Sequence, residues 1–268
     1  MTISSNNFSN NFLKNLSANS PENLPADLPA GLPTDLPANQ KNLRTIKSFV
    51  RREGRLTPSQ ARALDQLYLI YGIDLNLELN KNFKNNNPLV LEIGFGMGDS
   101  LIQMAKDNPD LNYLGLEVHR PGVGHILLGI EQENKNQENL TNLKVLSHDA
   151  VEILEKYIPN NYLQKIQIFF PDPWHKKKHH KRRLIQEEFV KKLVLKLKNS
   201  GQIHLATDWE NYAEQMLKIL GENQDLSNIY GLNNFAPNQE ITGRPSTKFQ
   251  KRGENLGHGV WDLIFQKN

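Results

Sequence analysis

Five short apolar runs alternate with five amphipathic stretches between residues 88 and 220, which predicts an α/β fold with a mostly parallel sheet and helices on both faces. Two further features fit that class. A glycine-rich turn follows the first run directly, and the GHGVWDLIF run near the end has no helix after it, as a closing strand would. The expected strands are 88–93, 111–117, 143–146, 165–170 and 202–206, and the expected helices are 99–107, 121–134, 149–157, 182–198 and 208–220. The last helix is the clearest, with Asp208 as N-cap and Trp209, Tyr212, Ala213, Met216, Leu217 and Leu220 at helical spacing. An earlier helix starts at Thr57-Pro58-Ser59-Gln60, where Thr57 caps, Pro58 opens the first turn and Gln60 closes a capping box; Ala61, Leu64, Leu67 and Tyr68 form its apolar face.

Residues 24–39 read LPAD LPAG LPTD LPAN, a Leu-Pro-x-x tetrad repeated, in which proline recurs too often for a helix or a central strand. Residues 1–40 are therefore expected to be a low-complexity, disordered extension, and residues 41–268 a single folded domain. The chain has no cysteine, which removes disulfide frameworks, thiolate nucleophiles, iron-sulfur clusters and cysteine-based zinc sites at once. No stretch approaches the ~20 apolar residues that span a bilayer, and the first residues lack a compact apolar core of the signal-peptide kind. A cytoplasmic location without membrane contact is the expectation.

The net charge is only +3, but it is unevenly spread. Residues 41–62 hold seven cations (Lys41, Arg44, Lys47, Arg51, Arg52, Arg55, Arg62) against Glu53, and residues 175–183, HKKKHHKRR, hold six cations, three histidines and no acid. Such density suggests a polyanionic partner, most often nucleic acid. The histidines do not suggest a metal site, since the adjacent cations would repel a divalent ion and no acid completes the set.

Ligands of open α/β sheets bind where the strands end, so the residues just after each strand are the ones to examine for chemistry. After the first strand comes Glu92-Ile93-Gly94-Phe95-Gly96-Met97-Gly98-Asp99, a turn through which a ligand can approach the backbone. Asp99 stands where a dinucleotide fingerprint needs its third glycine, which weakens a nicotinamide reading. Glu92 would repel a pyrophosphate but suits a ligand bearing an ammonium or sulfonium. Glu117 closes the second strand, where a carboxylate can accept from a ribose diol, and Asp149 follows the third, placed for an adenine amino group or for a plain helix cap. The fourth strand ends in Phe169-Phe170-Pro171-Asp172-Pro173-Trp174, with an acid locked between two prolines and a tryptophan on which a base could stack.

The segments LEIGFGMG, GLEVHRPGVG, FFPDPWHKKKHHKRR, ATDWENYAEQML and RPSTKFQKRGENLGHGVWDLIF resemble the bacterial tRNA (guanine-N7-)-methyltransferase family from about residue 45 to the end. The resemblance implies a Rossmann-like, S-adenosylmethionine-dependent methyltransferase fold and methyl transfer to N7 of a guanosine in the tRNA variable loop, conventionally position 46. It places Glu92, Gly94, Gly96, Gly98, Glu117, Asp149 and Asp172 in the cofactor site, with Asp172 also the catalytic residue. Lys176, Asp208, Thr247, Lys248, Phe249 and Gln250 match substrate-binding positions. The family motif commonly reads TKFE, and Gln250 stands in place of its glutamate, where it either faces donors on the guanine or a ribose or caps local backbone. The implied cofactor is S-adenosyl-L-methionine and the partner is tRNA, bound by a monomer or homodimer without a metal. Two other classes share parts of the pattern. A noncatalytic RNA-binding module of the same fold would leave the carboxylates idle, and a nicotinamide-dependent oxidoreductase would leave HKKKHHKRR unexplained.

Overall fold

The computed structural model describes residues 54–136, 140–237, 242–246, 250 and 259–268. The 1–40 extension lies outside them.

Strands β1 (Leu89–Ile93), β2 (Asn112–Leu116), β3 (Leu143–Leu146), β4 (Leu163–Phe169), β5 (Leu197–Thr207), β6 (Leu226–Asn228) and β7 (Trp261–Lys267) form one sheet in the order β3-β2-β1-β4-β5-β7-β6. The first five strands pair in parallel, while β7 runs antiparallel between β5 and β6. The chain order reverses at β1, beside β4. That is the switch point at which an open sheet leaves a crevice beyond its carboxyl ends.

The helices follow as α1 (Pro58–Arg62), a π-helical turn (Ala63–Leu67), α2 (Tyr68–Tyr71), α3 (Asp99–Asp107), α4 (Arg120–Lys135), α5 (Ala150–Lys156), α6 (Glu187–Lys196) and α7 (Glu210–Gly221). Apolar side chains cover both faces of the sheet. Leu91, Ile166 and Leu205 pack with Ile153, Leu193 and Tyr212 from α5, α6 and α7. On the other face Val90, Phe169 and Ala206 pack with Leu101 and Ile126 from α3 and α4.

The capping box at the first helix is present, with the Gln60 amide donating to Thr57 and the Thr57 amide to the Gln60 side chain. Of its expected apolar face, Leu67 is buried and Leu64 and Tyr68 pack partly buried against the core, whereas Ala61 is exposed and Ala63, in the π turn, is buried. The expected 182–198 helix also starts later. Lys177–Arg182 is a 3-10 turn and α6 begins at Glu187, since Arg183 is drawn inward by other bonds. Asp208 does not cap α7: its N-cap is Trp209, and no side chain bonds there. Strand β5 extends well before residue 202, and β6 is too short to show as a periodic run.

Candidate active site

The turn after β1 holds three glycines at positive φ, namely Gly94 at 79°, Gly96 at 61° and Gly98 at 85°. They do different work. A Cβ at Gly94 or Gly96 would meet nothing within 4 Å, while one at Gly98 would strike Ile126 of α4 at 2.5 Å. Gly98 lets two elements pack, and the other two face open space at the sheet edge, the condition a ligand needs for backbone contact.

Glu92 on β1 is buried at 2% exposure, and its Oε2 has no hydrogen-bond partner among the described residues. Burial, and secondarily the charge of Glu117, pushes its pKa up to about 8 despite the opposing Arg244. A buried acid in this state is set to gain from a cation.

Glu117 is held by backbone on two sides. Its Oε2 accepts from Gly96 N at 2.9 Å, and its Oε1 accepts from Val118 N at 2.7 Å and His119 N at 2.9 Å. A carboxylate has roughly four lone-pair directions, so one remains where the sequence suggested two free for a ribose diol. Asp149 caps α5 by accepting from Val151 N at 3.0 Å. The cap expected as its bland role is thus real, and it occupies one oxygen.

Asp172 is exposed and accepts from the Trp174 amide at 3.0 Å, closing a tight turn between the two prolines. Phe170 and Trp174, either side of that turn, both adopt positive φ, 51° and 46°, a clustering of backbone strain that favours a functional reading of the loop. The indole is not an open platform. Arg182 lies 4.9 Å from its ring centroid and His179 meets it edge-on at 5.8 Å. The 3-10 turn brings both side chains back over it, and the cation gains from the π face. His175 instead packs against Trp209, with ring centroids 4.2 Å apart.

Of the basic run, Lys176, Lys177, Lys178 and Lys181 are exposed. Burial first, and then Arg182 and the neighbouring lysines, hold the pKa of His179 below the usual range, so its ring adds no charge to the patch near neutral pH. Asp208 is half-buried just beyond β5. Thr247, Lys248 and Phe249 lie outside the described residues. Gln250 is buried, and the donor its Oε1 meets is Arg244 Nη1 at 2.8 Å, where the sequence suggested a base or ribose.

A family model described as a putative methyltransferase matches residues 86–263. A tRNA (guanine-N(7)-)-methyltransferase from Pseudoalteromonas translucida is 51% identical over 85% of this chain and 92% of its own length. The namesake from Aeromonas hydrophila is 52% identical over 85% of this chain and 94% of its own length. The chain belongs to the tRNA (guanine-N(7)-)-methyltransferase family. Among solved structures, the 16S rRNA methyltransferase KamB superposes with a TM-score of 0.50 at 13% identity, over 81% of this chain and 97% of that one. At that identity the match shows a shared methyltransferase fold.

Two sets of residues in this family member escaped the sequence reading. Arg183, counted there with the cations of the basic run, is only 2% exposed. It donates to the Pro173 carbonyl at 2.8 Å, Gln215 at 2.6 Å and Asn211 at 3.0 Å, and lies 4.6 Å from the Tyr212 ring. It therefore ties the Asp172 turn to α7. The second set centres on Arg244, which grips Asp262 of β7 through two bonds of 2.9 Å and stands 5.2 Å from the Phe170 ring. His204 of β5 bonds the same carboxylate at 2.8 Å. Burial would raise Asp262, but the bonds from His204 and Arg244 outweigh it and keep the carboxylate ionised. The RP that precedes the TKFQ segment was the available signal for Arg244.

Proposed function

We propose that this chain transfers a methyl group from S-adenosylmethionine to N7 of a guanosine in the tRNA variable loop, conventionally position 46, in the cytoplasm. The observation that carries the cofactor assignment is Glu92, a buried acid with an unpartnered oxygen, beneath a turn whose Gly94 and Gly96 leave room for a ligand. These residues fit the group: a carboxylate for a cation, open glycines for close approach, and Glu117 fixed against the same turn. When bound, S-adenosylmethionine supplies a methyl group activated by a sulfonium.

The chain's own residues then have defined work. Glu92 balances the cationic head, Glu117 offers its remaining lone pair to the ribose, and Asp149 presents a carboxylate to the adenine edge. Gly98 keeps α4 close enough for the turn to hold its shape. Guanine N7 has an in-plane lone pair and no proton, so no residue has to act as a strong base. What the reaction needs is alignment of N7 with the methyl, and compensation for the positive charge that grows on the purine. Asp172, at the β4 edge in a turn locked by prolines and by Arg183, is suited to both. Lys176, Lys177, Lys178 and Lys181 supply phosphate contacts that set the register of the RNA. Gln250 contributes through Arg244, which ties the segment before β7 to the strand that leads into Asp172.

The test is incubation with unmodified tRNA and methyl-labelled S-adenosylmethionine, followed by mapping of the labelled nucleotide. Label at a variable-loop guanosine supports the reading, while a folded, cofactor-binding protein that leaves tRNA unlabelled would favour the noncatalytic RNA-binding alternative.

A further inference from the structure

Glu92 on β1 and Gln167 on β4 are register partners on adjacent parallel strands, so their side chains leave the same face of the sheet from backbones ~4.8 Å apart. Both are buried, at 2% and 4% exposure. Glu92 Oε2 and Gln167 Oε1 are each sealed from solvent, and neither meets a donor among the described residues. If Glu92 is ionised, two buried acceptors on register-paired residues of neighbouring strands are left without a donor, an arrangement that folded proteins avoid. A single proton resolves both vacancies, because a protonated carboxyl becomes an O–H donor and the amide oxygen of Gln167 is an acceptor.

We propose that in the free protein Glu92 carries a proton donated to Gln167 Oε1, that a cationic ligand head displaces this proton on binding, and that Gln167 is thereby a positioning residue for Glu92. The balance is simple. The O–H bond of Glu92 breaks, its proton leaves to solvent, and the carboxylate so formed pairs with the incoming cation, leaving the net charge of the pocket unchanged. The free protein thus avoids an unpaired buried anion, and the site becomes ionic only when the charge has a partner.

The titratable groups around Glu92 agree with this. Burial, then Glu117 beyond β2, favours the protonated form, and Arg244 opposes them. Tyr113 of β2, pushed up to about 12 by burial and then by Glu92 and Asp107, adds no charge at neutral pH. Gln167 is uncharged at any pH, so its part is hydrogen bonding alone. The second step rests on the S-adenosylmethionine reading, and the first does not.

Infrared spectroscopy on the full chain without ligand tests the first step. At pH 7 the protein should show a carboxylic-acid C=O band that disappears in Glu92→Gln and moves in Gln167→Leu, where the O–H no longer has its acceptor. Gln167→Met serves if the leucine variant does not fold. A wild-type spectrum without a band dependent on Glu92, or a band unmoved by both Gln167 variants, overturns the pairing. For the second step, calorimetry with S-adenosylmethionine in two buffers of different ionisation enthalpy should find roughly one proton released per site at pH 7 and almost none at pH 9.5. Binding without proton release at pH 7 overturns the displacement. Failure of S-adenosylmethionine to bind at all would count against the cofactor reading, and the ligand-free band would still decide the pairing.

Discussion

Arg183 donates from Nε to the carbonyl oxygen of Pro173 at 2.8 Å, so a residue from the basic run supports the turn that carries Asp172. The run HKKKHHKRR therefore combines two roles in one stretch of sequence. Its lysines face solvent, and its last arginine is a buried clamp on α7.

These roles separate by measurement. Neutralising Lys177, Lys178 and Lys181 together should weaken tRNA binding and flatten its salt dependence, by roughly 0.7 to 0.9 in slope for each phosphate no longer neutralised. Arg183→Met should leave the slope unchanged, because its guanidinium is occupied within the protein. It should instead lower stability by about 3 kcal/mol, as carbonyl and amide acceptors are deprived of a buried charged donor, and reduce kcat through the displaced turn. Filter binding across a salt series and thermal melts check both variants.

Much of the candidate site was legible because a parallel α/β sheet gathers the ends of its strands at one edge. Glu92, Glu117, Asp149 and Asp172 are far apart in sequence, and each falls just inside or after an apolar run. Arg183 was not legible, since its burial depends on Asn211, Gln215 and Tyr212, which only the packing of α7 brings near. Gln167 and His204 were hidden differently. Each is a polar residue flanked by apolar ones inside a strand, and it gains meaning only from the strand pairing that brings it near Glu92 or Asp262. The π turn after α1 left no local mark, because nothing in the Ala63–Leu67 composition distinguishes it from ordinary helix.

Stability should respond to pH through Glu92. Its folded pKa of about 8 lies above the ordinary 4.5, so the folded state keeps a proton that the unfolded chain gives up as pH rises. This contribution is fully present below pH 4.5, declines as pH rises toward 8, and is gone above that. Glu92→Gln lacks the titration, so its Tm advantage over wild type should widen from pH 5 to pH 8 while its affinity for S-adenosylmethionine falls. Melting curves for the two proteins at several pH values provide the check, and a constant difference would contradict the buried-acid account.

Gly94 and Gly98 should fail in different ways when changed to alanine. Gly98→Ala meets both a positive φ and Ile126 at 2.5 Å, and should cost about 3 kcal/mol of stability. Gly94→Ala meets only the backbone penalty, about 1 kcal/mol, and should lose cofactor affinity out of proportion because its methyl enters the open space. Calorimetric affinities set beside Tm values distinguish them.

Asp172→Asn keeps the bond to the Trp174 amide but loses the charge, so it should reduce single-turnover methyl transfer on the order of 10²-fold with tRNA affinity nearly unchanged. Near-normal rates in the asparagine variant would reduce the role of Asp172 to hydrogen bonding.

The most direct test of the central claim uses a tRNA in which the variable-loop guanosine is replaced by 7-deazaguanosine, so that carbon stands where N7 carries the attacking lone pair. Base pairing and phosphates are otherwise retained. Binding should be preserved and methyl incorporation from labelled S-adenosylmethionine should fall to background. Continued incorporation into the 7-deaza tRNA, at a level comparable with the unmodified one, would contradict guanine N7 as the acceptor.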